Sequence, residues 1–115
     1  MSKDVRILLH PADSLLVPID PSDVYYLEAV GGETLIRMRS SRPLTDVRPL
    51  GKLFPLFQRH GFLRIHRNHA VNLGRIRLIR RRKGSLDWEI KLRPPVNRIL
   101  PVSRNALGKL KAAFR

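Results

Sequence analysis

A mainly β domain of antiparallel hairpins with one or two short helices is what this sequence predicts, on three observations. Short apolar runs recur at period two between turn signals. Only two segments switch to helical spacing. Strand follows strand without the intervening helices that a parallel sheet requires. About seven to nine short strands are expected, and the 115 residues fit a single domain over 1–115.

Each element has its own justification. In "VRILLH" (5–10), Val5, Ile7 and Leu9 alternate as in a half-buried strand. A Pro-Ala-Asp turn leads to a second run, "SLLVPI" (14–19). "DVYYLEAV" (23–30) is rich in β-formers, "GGE" signals a tight turn, and "TLIRMRS" (34–40) returns, with Leu35 and Arg37 facing one way and Ile36 and Met38 the other. The period then changes: Leu50, Leu53, Phe54 and Phe57 form a helical stripe, Pro49 suits its first turn and Gly61 its stop. Pro55 lacks an N–H and crowds the preceding turn, so the helix is expected to kink near it or begin close to it. "FLRI" (62–65) and "AVNL" (70–73) read as strands around the polar run "HRNH". "RIRLIRRR" (75–82) and "LDWEIKLR" (86–93) flank "KGS" as a hairpin, "PPVNR" is a loop, and "ILPV" (99–102) is a last strand. Ser103 is a natural N-cap for a final helix with Leu107, Leu110 and Phe114 at helical spacing. Gly108 inside that helix costs about 1 kcal/mol against alanine, so the helix depends on tertiary packing.

Charge is segregated along the chain. Residues 1–58 carry seven basic and seven acidic side chains; residues 59–115 carry the remaining 16 of 23 basic residues and only Asp87 and Glu89, so the whole +14 lies in the second half. Such asymmetry is self-repelling unless a polyanion relieves it, and nucleic acid is the commonest such partner. A solvated basic face is the competing reading. No run of about 18 apolar residues occurs, which argues against a membrane span, and the N-terminus lacks the apolar core of a signal peptide. The absence of cysteine removes disulfides and thiol chemistry and suits a reducing cytoplasm.

Nothing in the sequence argues for an enzyme. His66 and His69 are three apart, but zinc needs three or four ligands, and Asp87 and Glu89 belong to a different hairpin. No nucleophile elbow, phosphate-cradling glycine loop, zinc-protease or calcium motif occurs, so neither metal nor other cofactor is expected. The acids Asp13, Asp20, Asp23 and Asp46 sit where turns need them.

The polar run between two apolar anchors is the informative segment. Anchors on both sides hold His66, Arg67, Asn68 and His69 on a short leash. Arg67 can donate two parallel hydrogen bonds to guanine O6 and N7, Asn68 can pair with adenine, and the two histidines can reach base edges or phosphates. Taken singly, each also has an ordinary structural reading: asparagines cap turns, Arg64 is a solvated or phosphate-facing charge, and edge histidines are often hydrogen-bonded supports. A second candidate is "PVSRNA" (101–106). Arg104 opens a helix against the helix dipole, a mild cost that makes sense if it is aimed at an anion or a base. The run Arg80, Arg81, Arg82 and Lys83 fits phosphate contact by bulk charge.

"FLRIHRNHAVNLGRI", followed about 25 residues later by "LPVSRNALGKLKAAF", closely resembles the LytTR DNA-binding domain of bacterial transcription regulators, and "DVYYLEAVGGETLIRM" is similar to that family's first hairpin. The resemblance spans roughly residues 4–114. It implies an elongated β domain of small antiparallel sheets whose loops enter successive major grooves, and paired direct repeats bound by two copies head to tail. Carried over by position, it implies base reading by His66, Arg67 and Arg104, with Arg64 and Asn105 as phosphate contacts and Asn68 and His69 in support. A further contact would come from the hairpin tip at Gly32, Glu33 and Thr34, although "VGGET" lacks the basic, histidine or amide side chain expected there. Asn68 and His69 stand where the family often has serine and an aromatic residue.

The expected function is therefore sequence-specific binding of double-stranded DNA by a bacterial transcription regulator in the cytoplasm, at the nucleoid when bound. A phosphorylatable receiver domain does not fit in this length, so either a stand-alone regulator with an unknown signalling partner or a domain cut from a longer chain is expected, and the natural-looking start "MSKD" leans toward the first. The rival is an RNA-binding or ribosome-associated basic protein, which would stack bases on exposed aromatics; Trp88 and one of Tyr25 and Tyr26 are the side chains to watch. A third reading is a membrane-surface or scaffold protein that uses bulk charge alone.

Overall fold

The computed structural model describes residues 6–39 and 42–114; the strand positions expected at Val5 and Ser40 lie outside them. Ten strands and two helices occur among these residues. β1 (Ile7–Ala12) pairs antiparallel with β2 (Leu15–Ile19) as a separate ribbon. β3 (Val24–Val30) and β4 (Glu33–Met38) form the hairpin that "GG" predicts, with Gly31 at φ 57° and Gly32 at φ 83°, values that suit residues without a Cβ. After β5 (Leu44–Asp46) and α1 (Leu50–Gln58), the hairpin of β6 (Phe62–His66) and β7 (His69–Asn72) completes a five-stranded sheet of order β5-β4-β3-β7-β6. β8 (Ile76–Arg81), β9 (Trp88–Leu92) and β10 (Ile99–Val102) make a three-stranded sheet, and α2 (Arg104–Ala112) ends the fold.

The five-stranded sheet is the middle layer, with a core on each face. On one side, Leu27, Ile36, Phe62 and Ala70 meet Leu50, Leu53 and Phe57 of α1 and Ile7, Leu9 and Ile19 of the β1–β2 ribbon. On the other, Tyr25, Tyr26, Ile65 and Val71 meet Ile90, Leu92 and Leu100 of the three-stranded sheet and Ala106 and Leu110 of α2. Burial on both faces explains why β7 is buried at every position instead of alternating. An irregularity in the β3–β4 register between Val24 and Tyr26 turns two successive tyrosines into the second core. The molecule is a flattened body of 47 × 38 × 24 Å, elongated in only one direction of the slab. No helix among the described residues is long and apolar enough to cross a membrane.

Two local expectations need correction. β5 was not expected as a strand: at three residues between Pro43 and Pro49 it is too short to show a period, and it is recruited by pairing with β4. Asp46 within it forms the expected turn, accepting from the amide two residues on, but it does more than that. Its fully buried carboxylate accepts from the His10 amide (2.8 Å), the Arg48 amide (2.9 Å) and the Arg48 guanidinium (2.9 and 2.8 Å). Burial alone would raise its pKa, but these hydrogen bonds outweigh burial and hold the carboxyl below its usual range. The other correction concerns where α1 begins: it starts at Leu50, not close to Pro55, and runs through Pro55 to Gln58 with Pro49 as N-cap. Burial of Leu53 and Phe57 on either side of Pro55 outweighs the lost hydrogen bond.

Candidate nucleic-acid interface

The polar run is tighter than its composition suggests. β6 extends to His66 and β7 starts at His69, opposite it, so only Arg67 and Asn68 form the turn. Four contacts hold that turn rigid. The Ala29 amide of β3 donates to the Asn68 carbonyl (2.8 Å). Arg64 donates to the Arg67 carbonyl (2.6 Å). The Asn68 amide donates to His66 Nδ1 (3.1 Å), which leaves Nε2 to carry the proton of the neutral ring. His69 turns inward and its Nε2 meets Glu28 at 3.0 Å. What remains exposed is the pair Arg67 and Asn68, with His66 half-buried beside them.

Glu28 gathers a small network. Arg98 donates to it (3.2 Å) and to the Tyr26 hydroxyl (2.7 Å), and its guanidinium lies 5.2 Å from the centre of the Tyr26 ring. Burial opposes the charged form of Glu28, but the hydrogen bonds from His69 and Arg98 win and keep its pKa below the usual value. Burial pushes the His69 pKa down, and Glu28 only partly offsets it. The geometry agrees: His69 Nδ1 is buried without a partner among the described residues, which an unprotonated nitrogen tolerates far better than an N–H would. The sign of the resulting linkage follows. The unfolded chain protonates His69 near 6.5 and the folded chain only at lower pH, so this contribution to stability is complete above about pH 6.5 and shrinks as pH falls below it. Urea midpoints of the wild type should decline between pH 7.5 and 5.5, and His69→Phe should flatten that limb. An identical pH profile in the variant would sink the assignment.

The second motif is brought to the first by one backbone bond. The Ser103 amide donates to the Ile65 carbonyl (2.7 Å), seating the start of α2 against the end of β6. Ser103 Oγ accepts from the Ala106 amide (3.3 Å), the N-cap expected from sequence. Arg104 and Asn105 are exposed at this helix start. Two grooves meet here and share His66 and Ser103: one of about 510 Å³ beside Arg104, Arg82 and Trp88, and one of about 260 Å³ beside Arg64, Arg67, Asn105 and Lys109. Lys109 was not singled out from sequence; its only signal was a position one helical turn beyond Asn105.

The remaining candidates divide. Arg80 (2.8 Å) and Arg82 (3.7 Å) are ion-paired with Glu89, whereas Arg81 and Lys83 are exposed beside the β8–β9 turn. Gly32 and Glu33 are exposed at the β3–β4 tip, but Thr34 is fully buried and donates to the Arg48 carbonyl (2.9 Å). Its place as a contact is corrected on that ground: the strand pleat turns it into the fold. Tyr25 and Tyr26 are both buried, and Lys111 lies 5.1 Å from the centre of the half-buried Trp88 ring. Neither tyrosine is free to stack a base, and one approach to Trp88 is shared with a cation.

A family model described as the LytTr DNA-binding domain matches residues 14–115. Among solved structures, the chain is similar to one described as the LytTr DNA-binding domain of a methyl-accepting/DNA response regulator from Bacillus cereus. The TM-score is 0.74 at 22% identity, covering 96% of this chain and 97% of that one. No curated protein matches the chain.

Proposed function

Because this chain belongs to the LytTr DNA-binding domain family, a family of DNA-binding domains of transcription regulators, we propose that it reads double-stranded DNA by sequence through the edge formed by the β6–β7 turn and the start of α2. One observation carries the reading: the 2.7 Å bond from Ser103 to Ile65 makes a single exposed basic edge from two motifs that lie 38 positions apart in the chain. Arg67 and Arg104 are the base readers, each able to fork onto guanine, and His66 presents an Nε2–H donor between them. Lys109, Asn105, Arg81 and Lys83 meet phosphates, while Arg64, Asn68 and His69 hold the turn. Two copies bind direct repeats head to tail, so that each edge enters its own major groove. The buried tyrosines disfavour RNA reading by base stacking.

Selection of bound duplexes from a random pool at near-physiological salt tests the proposal. Enriched direct repeats about one helical turn apart are expected. Unselective binding would leave bulk charge as the explanation. On the selected site, neutralisation of about six phosphates predicts a slope of log K against log salt near −5. Titrations from low to high salt read that slope directly, and a nearly flat dependence would remove the phosphate contacts assigned here.

A further inference from the structure

A leucine stands just past the cationic run of Arg80, Arg81, Arg82 and Lys83. Leu86 is 72% exposed, more than any other large hydrophobic side chain among the described residues. The β8–β9 turn holds it there. The Arg82 amide donates to the Asp87 carbonyl (2.8 Å), the Ser85 amide to the Arg82 carbonyl (3.1 Å), and the Asp87 amide to Ser85 Oγ (3.0 Å). Gly84, at φ 74°, lets the chain reverse. Leu86 therefore projects between two anchored residues, and it belongs to neither core.

Two grooves share this side chain. One is the groove of about 510 Å³ at the DNA edge, where Leu86 joins His66 and Arg104. The other joins Leu86 to Arg81 and Lys83. Leu86 thus stands between side chains assigned to bases and side chains assigned to phosphates. The first groove has further apolar lining: Trp88 and Leu107 are half-buried against the second core, and Pro101 is exposed. Asp87 is the one carboxylate in its lining among the described residues. A carboxylate repels a phosphate, but it can accept a hydrogen bond from cytosine N4. The groove therefore suits base edges better than the DNA backbone, and in the major groove the base edges carry one apolar group, the 5-methyl of thymine.

We propose that Leu86, with the apolar lining of this groove, takes up the 5-methyl group of a thymine beside the base pair that Arg104 reads. The inference rests on the DNA reading and deepens it, by adding a preference that no polar side chain supplies. Covering one methyl is worth about fourfold in affinity. Leucine carries no charge, so this contribution leaves the salt slope unchanged. Uracil lacks the methyl, so the same contact works against RNA.

The test is deoxyuridine scanning of a duplex that carries a single copy of the selected repeat. Each thymine in turn is replaced by deoxyuridine, which pairs alike and lacks only the methyl. Anisotropy titrations of the wild type should find one thymine whose replacement weakens binding about fourfold. It should lie beside the pair at which Arg104→Ala relaxes preference. Leu86→Ser, a surface change whose folding thermal melting verifies, should bind the thymine duplex about fourfold more weakly at the same salt slope. It should also be indifferent to the replacement. Leu86→Met keeps an apolar side chain and should restore the sensitivity. The absence of any sensitive thymine, sensitivity that persists in Leu86→Ser, or wild-type affinity of Leu86→Ser would each overturn the proposal while leaving the ranking set by Arg104 intact. Failure of the DNA reading itself looks different: no repeat would be enriched, Arg104→Ala would alter no ranking, and the methyl contact would fall with it.

Discussion

Arg67→Ala combined with Arg104→Ala is expected to abolish preference for the selected duplex while leaving weaker, unselective binding. Each forked contact to guanine is worth about 1–3 kcal/mol of discrimination, roughly 5- to 150-fold per position. The two arginines sit on different elements that meet at the Ser103–Ile65 bond, so each should relax preference at its own base position. Arg104→Lys sharpens the test. Lysine keeps the charge but not the planar fork, so it should lose most of the discrimination at an almost unchanged salt slope. Arg81→Ala should do the reverse, weakening all sequences alike and reducing the slope by about one unit. Anisotropy titrations on single-base variants of the duplex separate these outcomes. If Arg104→Ala bound weaker but ranked the variants as the wild type does, Arg104 would be a phosphate contact and not a reader.

Phe57→Ala should produce the largest loss of stability, about 3–5 kcal/mol. Phe57 is fully buried, packs edge-on against Phe62 at 5.0 Å, and belongs to the core that joins α1 to the β1–β2 ribbon and the middle sheet. The void left by the ring cannot close easily, because its walls come from three separate elements. Against a typical total of about 5–15 kcal/mol, the variant should melt more than about 10 °C lower. The reading edge lies on the opposite core, but β3, β6 and β7 serve both cores, so DNA binding should be lost in the same transition. A drop of only a degree or two would mean that α1 and the ribbon are not part of the cooperative unit.

Most strands were legible because period-two runs between Gly, Pro and polar turns report one buried face. Ser103 as N-cap, the "GG" turn and both helices followed from local chemistry. β5 was not legible, since three residues cannot show a period. Neither was the start of α1 at Leu50 with Pro55 inside it, because the burial that holds it there comes from other elements. At the site, Arg67 and Arg104 stood out by residue type and setting, but whether a polar side chain faces solvent or fold could not be read. Thr34 and His69 turn inward, and Arg64 holds a carbonyl at 2.6 Å.

By itself, then, the sequence determined the strands and caps, the segregated charge and the two polar motifs, because these depend on neighbours within a few residues. Tertiary structure alone decided that the motifs share one edge and that Glu28 and Arg98 lock the turn through His69. Each of these is a contact between residues at least 38 positions apart. No local pattern encodes such contacts, because they exist only once burial has brought distant strands together.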